Sequence, residues 1–170
     1  MNGYIGKIRV RTAENKIEYL NAFKTKLSNN EEKYIIKNDF GDSIGESVIK
    51  IRKQYSNNKL EQEKNPSHIF VDELKNYSRL KTPYHNKNLK YYKDIGTRLL
   101  QIAQKRSIEL GFDGNIELIS KEESKPFYLN VIKMEEKYPI GSFERIYNNP
   151  NKLFLPDKTK EHLSKLQGGL

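Results

Sequence analysis

Apolar residues in this chain fall into short, separated runs whose period changes along the sequence. Within 14–27, Ile17, Leu20, Phe23 and Leu27 recur at three- to four-residue intervals among polar neighbours, which predicts an amphipathic helix. Ser28-Asn29-Asn30 stops it. Lys33-Tyr34-Ile35-Ile36-Lys37 predicts a short strand. Asn38-Asp39-Phe40-Gly41-Asp42 supplies turn residues, and 43–52, with Ile44, Val48, Ile49 and Ile51, predicts the returning strand of a hairpin. Residues 54–67 read as a polar connector. The apolar run in 68–74 predicts another strand, followed by a basic loop over 75–90 that contains Pro83 and the asparagines Asn76, Asn86 and Asn88. A helical period returns over 95–110, with Ile95, Leu99, Ile102, Ala103 and Leu110 on one side and Gly111 as a left-handed cap. Ile116-Glu117-Leu118-Ile119 predicts a strand. A short helix is expected over 124–132, with Pro126 in its first turn. Lys152-Leu153-Phe154-Leu155 predicts a last strand, and Pro156-Asp157 opens a terminal helix bearing Leu163 and Leu166. Gly168-Gly169 reads as a frayed tail.

The expected order is therefore α, β, β, β, α, β, α, β, α. The hairpin at 33–52 implies antiparallel pairing. The strands at 69–74 and 116–119, joined through a helix, imply a parallel pair. A mixed α/β fold follows, with helices on the faces of the sheet.

Composition narrows the class. A chain of 170 residues fits one domain, 1–170, with a normal core. With 35% hydrophobic and 31% charged residues it is polar, yet its Ile, Leu, Val, Phe and Tyr cluster periodically, which argues against disorder. The absence of cysteine excludes disulfides and thiolate metal sites. Three histidines without ligand spacing argue against a catalytic metal. No apolar stretch approaches the ~18 residues of a membrane span. The opening Met1-Asn2-Gly3-Tyr4-Ile5-Gly6-Lys7 lacks a signal-peptide core, so a cytoplasmic protein is expected. The net charge of +9 suits an anionic partner, but lysines are interleaved with Glu and Asp, which weakens a nucleic-acid reading.

The densest chemistry lies in Tyr91-Tyr92-Lys93-Asp94-Ile95-Gly96-Thr97-Arg98-Leu99-Leu100. A strand precedes it, a helix starts in it with Gly96 in the first turn, and a second strand and the pair Phe127-Tyr128 follow. That order can build a cradle for a phosphate-bearing cofactor, with free amides and the positive helix end facing the phosphates. The combination resembles the GNAT family of acetyl-CoA-dependent N-acyltransferases over roughly 68–134, with weaker agreement in 33–52. The family signature Gln/Arg-x-x-Gly-x-Gly/Ala falls on Tyr91 to Gly96. Ile95-Gly96-Thr97-x-Leu99-Leu100 is similar to the family helix start, Val71-Asp72-Glu73-Leu74 looks like its preceding strand, and Phe127-Tyr128 with Met134 looks like its Phe-Tyr-x-x-x-Gly-Phe/Met segment. Two positions depart: Tyr91 stands for Gln/Arg, and Asp94 for the first glycine. An inward Asp94 would repel pyrophosphate; the alternative is a side-chain cap on the helix. Residues 75–90 are longer than the family pattern.

The resemblance implies a mixed, mostly antiparallel sheet with a splayed parallel pair and helices on both faces. It implies acetyl-CoA as co-substrate, no metal, and transfer to an amine acceptor, small molecule or protein, by direct attack. Lys93, Asp94, Ile95, Gly96 and Thr97 would surround the pyrophosphate, and backbone groups near Leu74 and Asn76 would pair with the pantetheine arm. A backbone N–H near Leu74 would hold the oxyanion. Tyr128 would protonate the leaving thiolate, and Glu73 would serve as general base, since strand alternation lets only one of Asp72 and Glu73 face the site. His68 and His85 are further candidate bases. The competing reading is a non-catalytic GNAT-like or nucleic-acid-associated module, with Tyr77, Tyr84, Tyr91 and Tyr92 as stacking residues in a basic loop.

Overall fold

The chain was analysed as a computed structural model that describes residues 2–79 and 90–170. Among the described residues, nine strands form one sheet in the order β6-β1-β2-β3-β4-β5-β7-β9-β8. In chain order these are β1 (Asn2–Thr12), β2 (Ile17–Ser28), β3 (Glu31–Lys37), β4 (Ser43–Arg52), β5 (His68–Asn76), β6 (Tyr92–Lys93), β7 (Ile116–Ile119), β8 (Glu135–Glu136) and β9 (Lys152–Phe154). All pairs are antiparallel except β5 with β7. The expected mixed, mostly antiparallel sheet with one parallel pair is thus observed.

The helix expected over 14–27 is instead β2. Its apolar spacing fits a helical period, but the buried side chains are Leu20 and Ala22, two residues apart, with β1 paired along one edge and β3 along the other. Alternation in Tyr19-Leu20-Asn21-Ala22-Phe23 was the operative signal. No element was expected in the opening residues, which form β1. There Ile8 and Val10 are buried while Arg9 and Arg11 alternate with them, the period of a half-buried strand. The order α, β, β, β is therefore corrected to five antiparallel strands, β1 to β5.

The connector at 54–67 contains the short helix α1 (Lys59–Lys64), capped by Asn58 Oδ1 on the amides of Leu60 and Glu61. Part of the loop expected over 75–90 is also ordered: β5 runs through Asn76 into a 3₁₀ turn, Tyr77–Arg79. Tyr84 and His85 lie outside the described residues.

Helix α2 (Ile95–Glu109) packs its apolar stripe of Ile95, Leu99, Leu100, Ile102 and Ala103 on the sheet, against β4, β5 and β7. Gly111 ends it at φ +78°, as expected. Its other buried side chains are polar. Arg98, 1% exposed, donates to the carbonyls of Arg9, Leu166 and Gln167. Gln101 donates to those of Leu163 and Leu166, and Gln104 to that of Lys160. These bonds fasten α4 (Asp157–Lys165) and the 3₁₀ turn Leu166–Gly168 to α2; of the two glycines expected as a frayed tail, Gly168 is exposed and Gly169 is buried, its amide donating to the Leu166 carbonyl at 3.1 Å. Between β7 and β8, helix α3 (Lys125–Phe127) passes directly into a π-helical turn, Tyr128–Ile132.

One glycine decides where α2 starts. A Cβ on Gly45 of β4 would lie 2.4 Å from Ile95 Cγ2 and 3.1 Å from the Lys75 carbonyl oxygen. Only glycine lets the first turn of α2 approach the sheet this closely.

Candidate active site: a cleft between β5 and β7

The parallel pairing is short. Ile69, Phe70 and Val71 face Ile116, Glu117 and Leu118, and there it ends. At the same point the β4–β5 register shifts: Ile49 pairs with Val71 but Val48 with Glu73, leaving Asp72 as an extra residue. Such a bulge bends its strand and increases the local twist. Beyond it β5 follows β4 to Asn76, while β7 stops at Ile119. The edge of β5 that faced β7 is left without a strand partner among the described residues.

Two cavities occupy this opening. The larger, about 700 Å³, is lined by Leu74 and Asn76 of β5, by Lys93 through Thr97, by Phe127 and Tyr128, and by Arg11, Arg79 and Gln167 among others. The smaller, about 280 Å³, is lined by 71–75 of β5, by 118–121 at the end of β7, and by Ser124 and Tyr128. Leu74, Ser124 and Tyr128 border both. The structure thus brings together every residue singled out around the cradle, including Gly96, Leu74, Asn76 and Tyr128.

At the α2 terminus, the Arg98 amide makes the first intrahelical bond, to the Asp94 carbonyl at 2.8 Å. The amides of Ile95, Gly96 and Thr97 precede it. Ile95 and Thr97 are buried and line the cavity beside the partly exposed Gly96. A Cβ on Gly96 would meet Leu74 Cδ2 at 3.4 Å and the Phe127 ring at 3.7 Å, both ordinary contacts. Gly96 is therefore not forced by packing, and its bare backbone leaves the cavity wall open.

Asp94 departs from the expected cap. Its side chain makes no capping bond to α2, and its backbone is left-handed, φ +70°, a conformation glycine adopts freely and aspartate tolerates. The carboxylate, 5% exposed, instead receives two bonds from Arg11: Nε to Oδ2 at 2.8 Å and Nη2 to Oδ1 at 2.7 Å. Bonding to Asp94 pushes the Arg11 guanidinium pKa further up. The position thus keeps the backbone that a glycine would supply and carries a neutralised charge. Arg11, from β1, and Arg79, beyond the expected strand, were missed because neither lies in a motif. Around the larger cavity Arg11, Arg79 and Lys93 face Asp94 and Glu123, and Asp94 is already paired. Lys93 Nζ is held by Asn15 Oδ1 at 2.8 Å. The Asn76 side chain is committed to Ser78 and to the Tyr92 carbonyl, leaving its backbone for the cleft.

Tyr128 is 8% exposed and starts the π-helical turn, a feature frequent at functional sites. Its ring packs edge-on against Phe127 at 5.4 Å. Its hydroxyl has no hydrogen-bond partner among the described residues, and burial raises the phenol pKa, so it stays protonated at neutral pH.

The expectation that only one of Asp72 and Glu73 faces the site is overturned: both line the smaller cavity, because the bulge at Asp72 breaks the two-residue alternation. Glu73 lies 3.6 Å from Lys75 Nζ and Asp72 3.6 Å from Lys50 Nζ, all partly exposed. His68 is not brought to the cleft. It sits at the other end of β5, with Nδ1 2.9 Å from the Pro66 carbonyl and 3.3 Å from Glu117, and burial lowers its pKa.

No family model and no curated protein matches the chain. Solved structures with a similar fold include a point mutant of KacT, 15% identical with a TM-score of 0.47, over 78% of this chain and 75% of that one. Nourseothricin acetyltransferase is 12% identical with a TM-score of 0.38, over 91% and 84%. Neither reaches a TM-score of 0.5, and the likeness leaves family and activity open.

Proposed function

We propose that the protein is an acyl-CoA-dependent N-acyltransferase that moves an acetyl group from acetyl-CoA to an amine. The observation that carries this reading is the opened strand pair: the bulge at Asp72 ends the β5–β7 ladder where the cavity meets both the α2 terminus and Tyr128. The resemblance of 91–100 and 127–134 to GNAT motifs supports it independently.

In this reading the coenzyme's pyrophosphate lies at the amides of Ile95, Gly96 and Thr97, with Arg79 adding positive charge and the Arg11–Asp94 pair removing the repulsion of the carboxylate. The pantetheine arm adds to the free edge of β5 near Leu74 and Asn76, as an extended chain adds to an open sheet. The thioester then sits between β5 and Tyr128. The acceptor amine attacks the carbonyl carbon, a backbone N–H near Leu74 holds the oxyanion, and Tyr128 protonates the departing thiolate. Glu73 takes the proton of the incoming ammonium, directly or through water. The reaction in this reading uses no metal.

Calorimetry with acetyl-CoA tests the reading. Wild-type protein is expected to bind, and Gly96→Glu to lose binding with its thermal transition retained, because the new carboxylate enters the phosphate cradle. Equal affinity in both proteins overturns the proposed site. Binding of acetyl-CoA without acylation of any amine in a panel of polyamines, amino acids, aminoglycosides and lysine peptides favours a non-catalytic binding module.

A further inference from the structure

The proposed chemistry uses the Tyr128 hydroxyl, yet the wall of the cleft also holds a buried serine hydroxyl without a partner among the described residues. Ser120 follows β7 directly and is 5% exposed. Its amide donates to the Asn151 carbonyl at 3.0 Å, which fixes the backbone. Its Oγ is buried and has no hydrogen-bond partner among the described residues. A buried hydroxyl without a partner is costly, so one retained at a cavity wall points to a group that arrives there. Ser120 lines the smaller cavity together with Tyr128. By strand alternation from Ile116 and Leu118, it falls on the core face of the sheet, where Tyr128 packs. Ser47 also carries a partnerless buried hydroxyl, but it lines neither cavity of the cleft.

We propose that Ser120 is a second hydroxyl donor to the coenzyme's sulfur, holding the thiolate while Tyr128 protonates it. This rests on the acyltransfer reading. The amine nitrogen bonds to the thioester carbonyl carbon, the carbon–sulfur bond breaks, and its electron pair leaves on sulfur. Tyr128 gives sulfur its proton and regains one from the amine through solvent. Ser120 keeps its own proton and contributes a hydrogen bond that strengthens as charge develops on sulfur.

The test uses coenzyme A and desulfo-coenzyme A, which lacks the thiol, as calorimetric ligands between about pH 7 and pH 10, a range that spans an ordinary thiol pKa of about 8.5. In wild type, the preference for coenzyme A over desulfo-coenzyme A should grow as the thiol ionises. Ser120→Ala should lose about tenfold or more of that gain, the usual worth of a hydrogen bond to a charged group, and bind desulfo-coenzyme A like wild type. Ser120→Thr, which keeps a hydroxyl, should retain the gain. The inference is overturned if Ser120→Ala tracks wild type at every pH, or if it loses both ligands equally, as a packing defect would. If wild type binds neither ligand, the acyltransfer reading falls together with it.

Discussion

Helix α2 carries a two-point arginine–carboxylate pair near each end, and the two pairs do different work. Near its C-terminal end, Arg106 binds Glu32 through Nε at 2.8 Å and Nη2 at 2.9 Å. Lys24 adds an ion pair at 3.1 Å, and the Tyr34 hydroxyl donates at 3.0 Å. Burial alone would raise the Glu32 pKa, but bonding to Arg106, Lys24 and Tyr34 outweighs it and holds the value below the ordinary carboxylate range. That carboxylate is saturated. At the N-terminal end, Arg11 binds Asp94 with the same two-point geometry; that carboxylate, 5% exposed against 6% for Glu32, has no third partner among the described residues. The Arg11 side chain is 35% exposed and lines a cavity of about 700 Å³. Both pairs border a cavity, of about 340 Å³ at the closed end and about 700 Å³ at the open one. What makes one end closed and the other open is the sheet beneath: β3 is paired on both edges beside Glu32, whereas β5 loses β7 beyond Val71.

The largest effect should fall on the open end alone. Tyr128→Phe keeps the ring packing and removes only the hydroxyl. It should lower kcat by about 10²–10⁴-fold once an acceptor is found, with little change in coenzyme affinity or melting temperature. Wild-type turnover in that variant would remove Tyr128 from the mechanism.

Glu32→Ala should break the closed end alone. Removing one partner of a buried pair typically costs about 3–5 kcal/mol, read as a shift of the denaturation midpoint, while coenzyme affinity per folded molecule stays unchanged. The pH dependence has a definite sign. Because the folded pKa of Glu32 is depressed, its contribution is present above the unfolded value of about 4.3 and fades as pH falls through the folded value. Acid titration of wild type and Glu32→Ala should therefore converge at low pH. Parallel curves would contradict the ion-pair account.

Gly45→Ala couples the two halves of the argument. Its Cβ would overlap Ile95 Cγ2 and should cost about 1–3 kcal/mol as overpacking, while pushing the first turn of α2 off the sheet and weakening coenzyme binding. A destabilised variant with undiminished affinity would separate the α2 terminus from the site.

The smallest effect separates backbone from charge at Asp94. Asp94→Gly and Asp94→Ala both lose the bonds to Arg11, but only glycine is at ease at φ +70°. Asp94→Gly should be the more stable of the two by about 1 kcal/mol in chemical denaturation. Equal stability would mean that the left-handed backbone carries no cost there.

The sequence made β3, β4, β5, β7 and β9 legible and obscured β1, β2, β6 and β8. In β4, β5, β7 and α2 the apolar pattern matches one period and the bounds agree closely. In β2 the spacing of Ile17, Leu20, Phe23 and Leu27 imitates a helix, and only pairing with β1 and β3 decides against it. The site's motif residues were legible because they lie together in 91–97 and 127–128. Arg11 was not, since its link to Asp94 spans most of the chain before the helix and leaves no local signature. Nor was the bulge at Asp72, a matter of register between two strands. The orphaned hydroxyl of Ser120 becomes visible only once burial and missing partners are known.

Hydrogen exchange with and without acetyl-CoA compares the two ends of α2 in one measurement. The account predicts slowed exchange at 74–76 and 95–98, on the free edge of β5 and in the first turn of α2. The amides around Glu32 and Arg106 should be unchanged. Binding that leaves 95–98 unprotected, or that protects the Arg106 end instead, would contradict the placement of the coenzyme in the cleft.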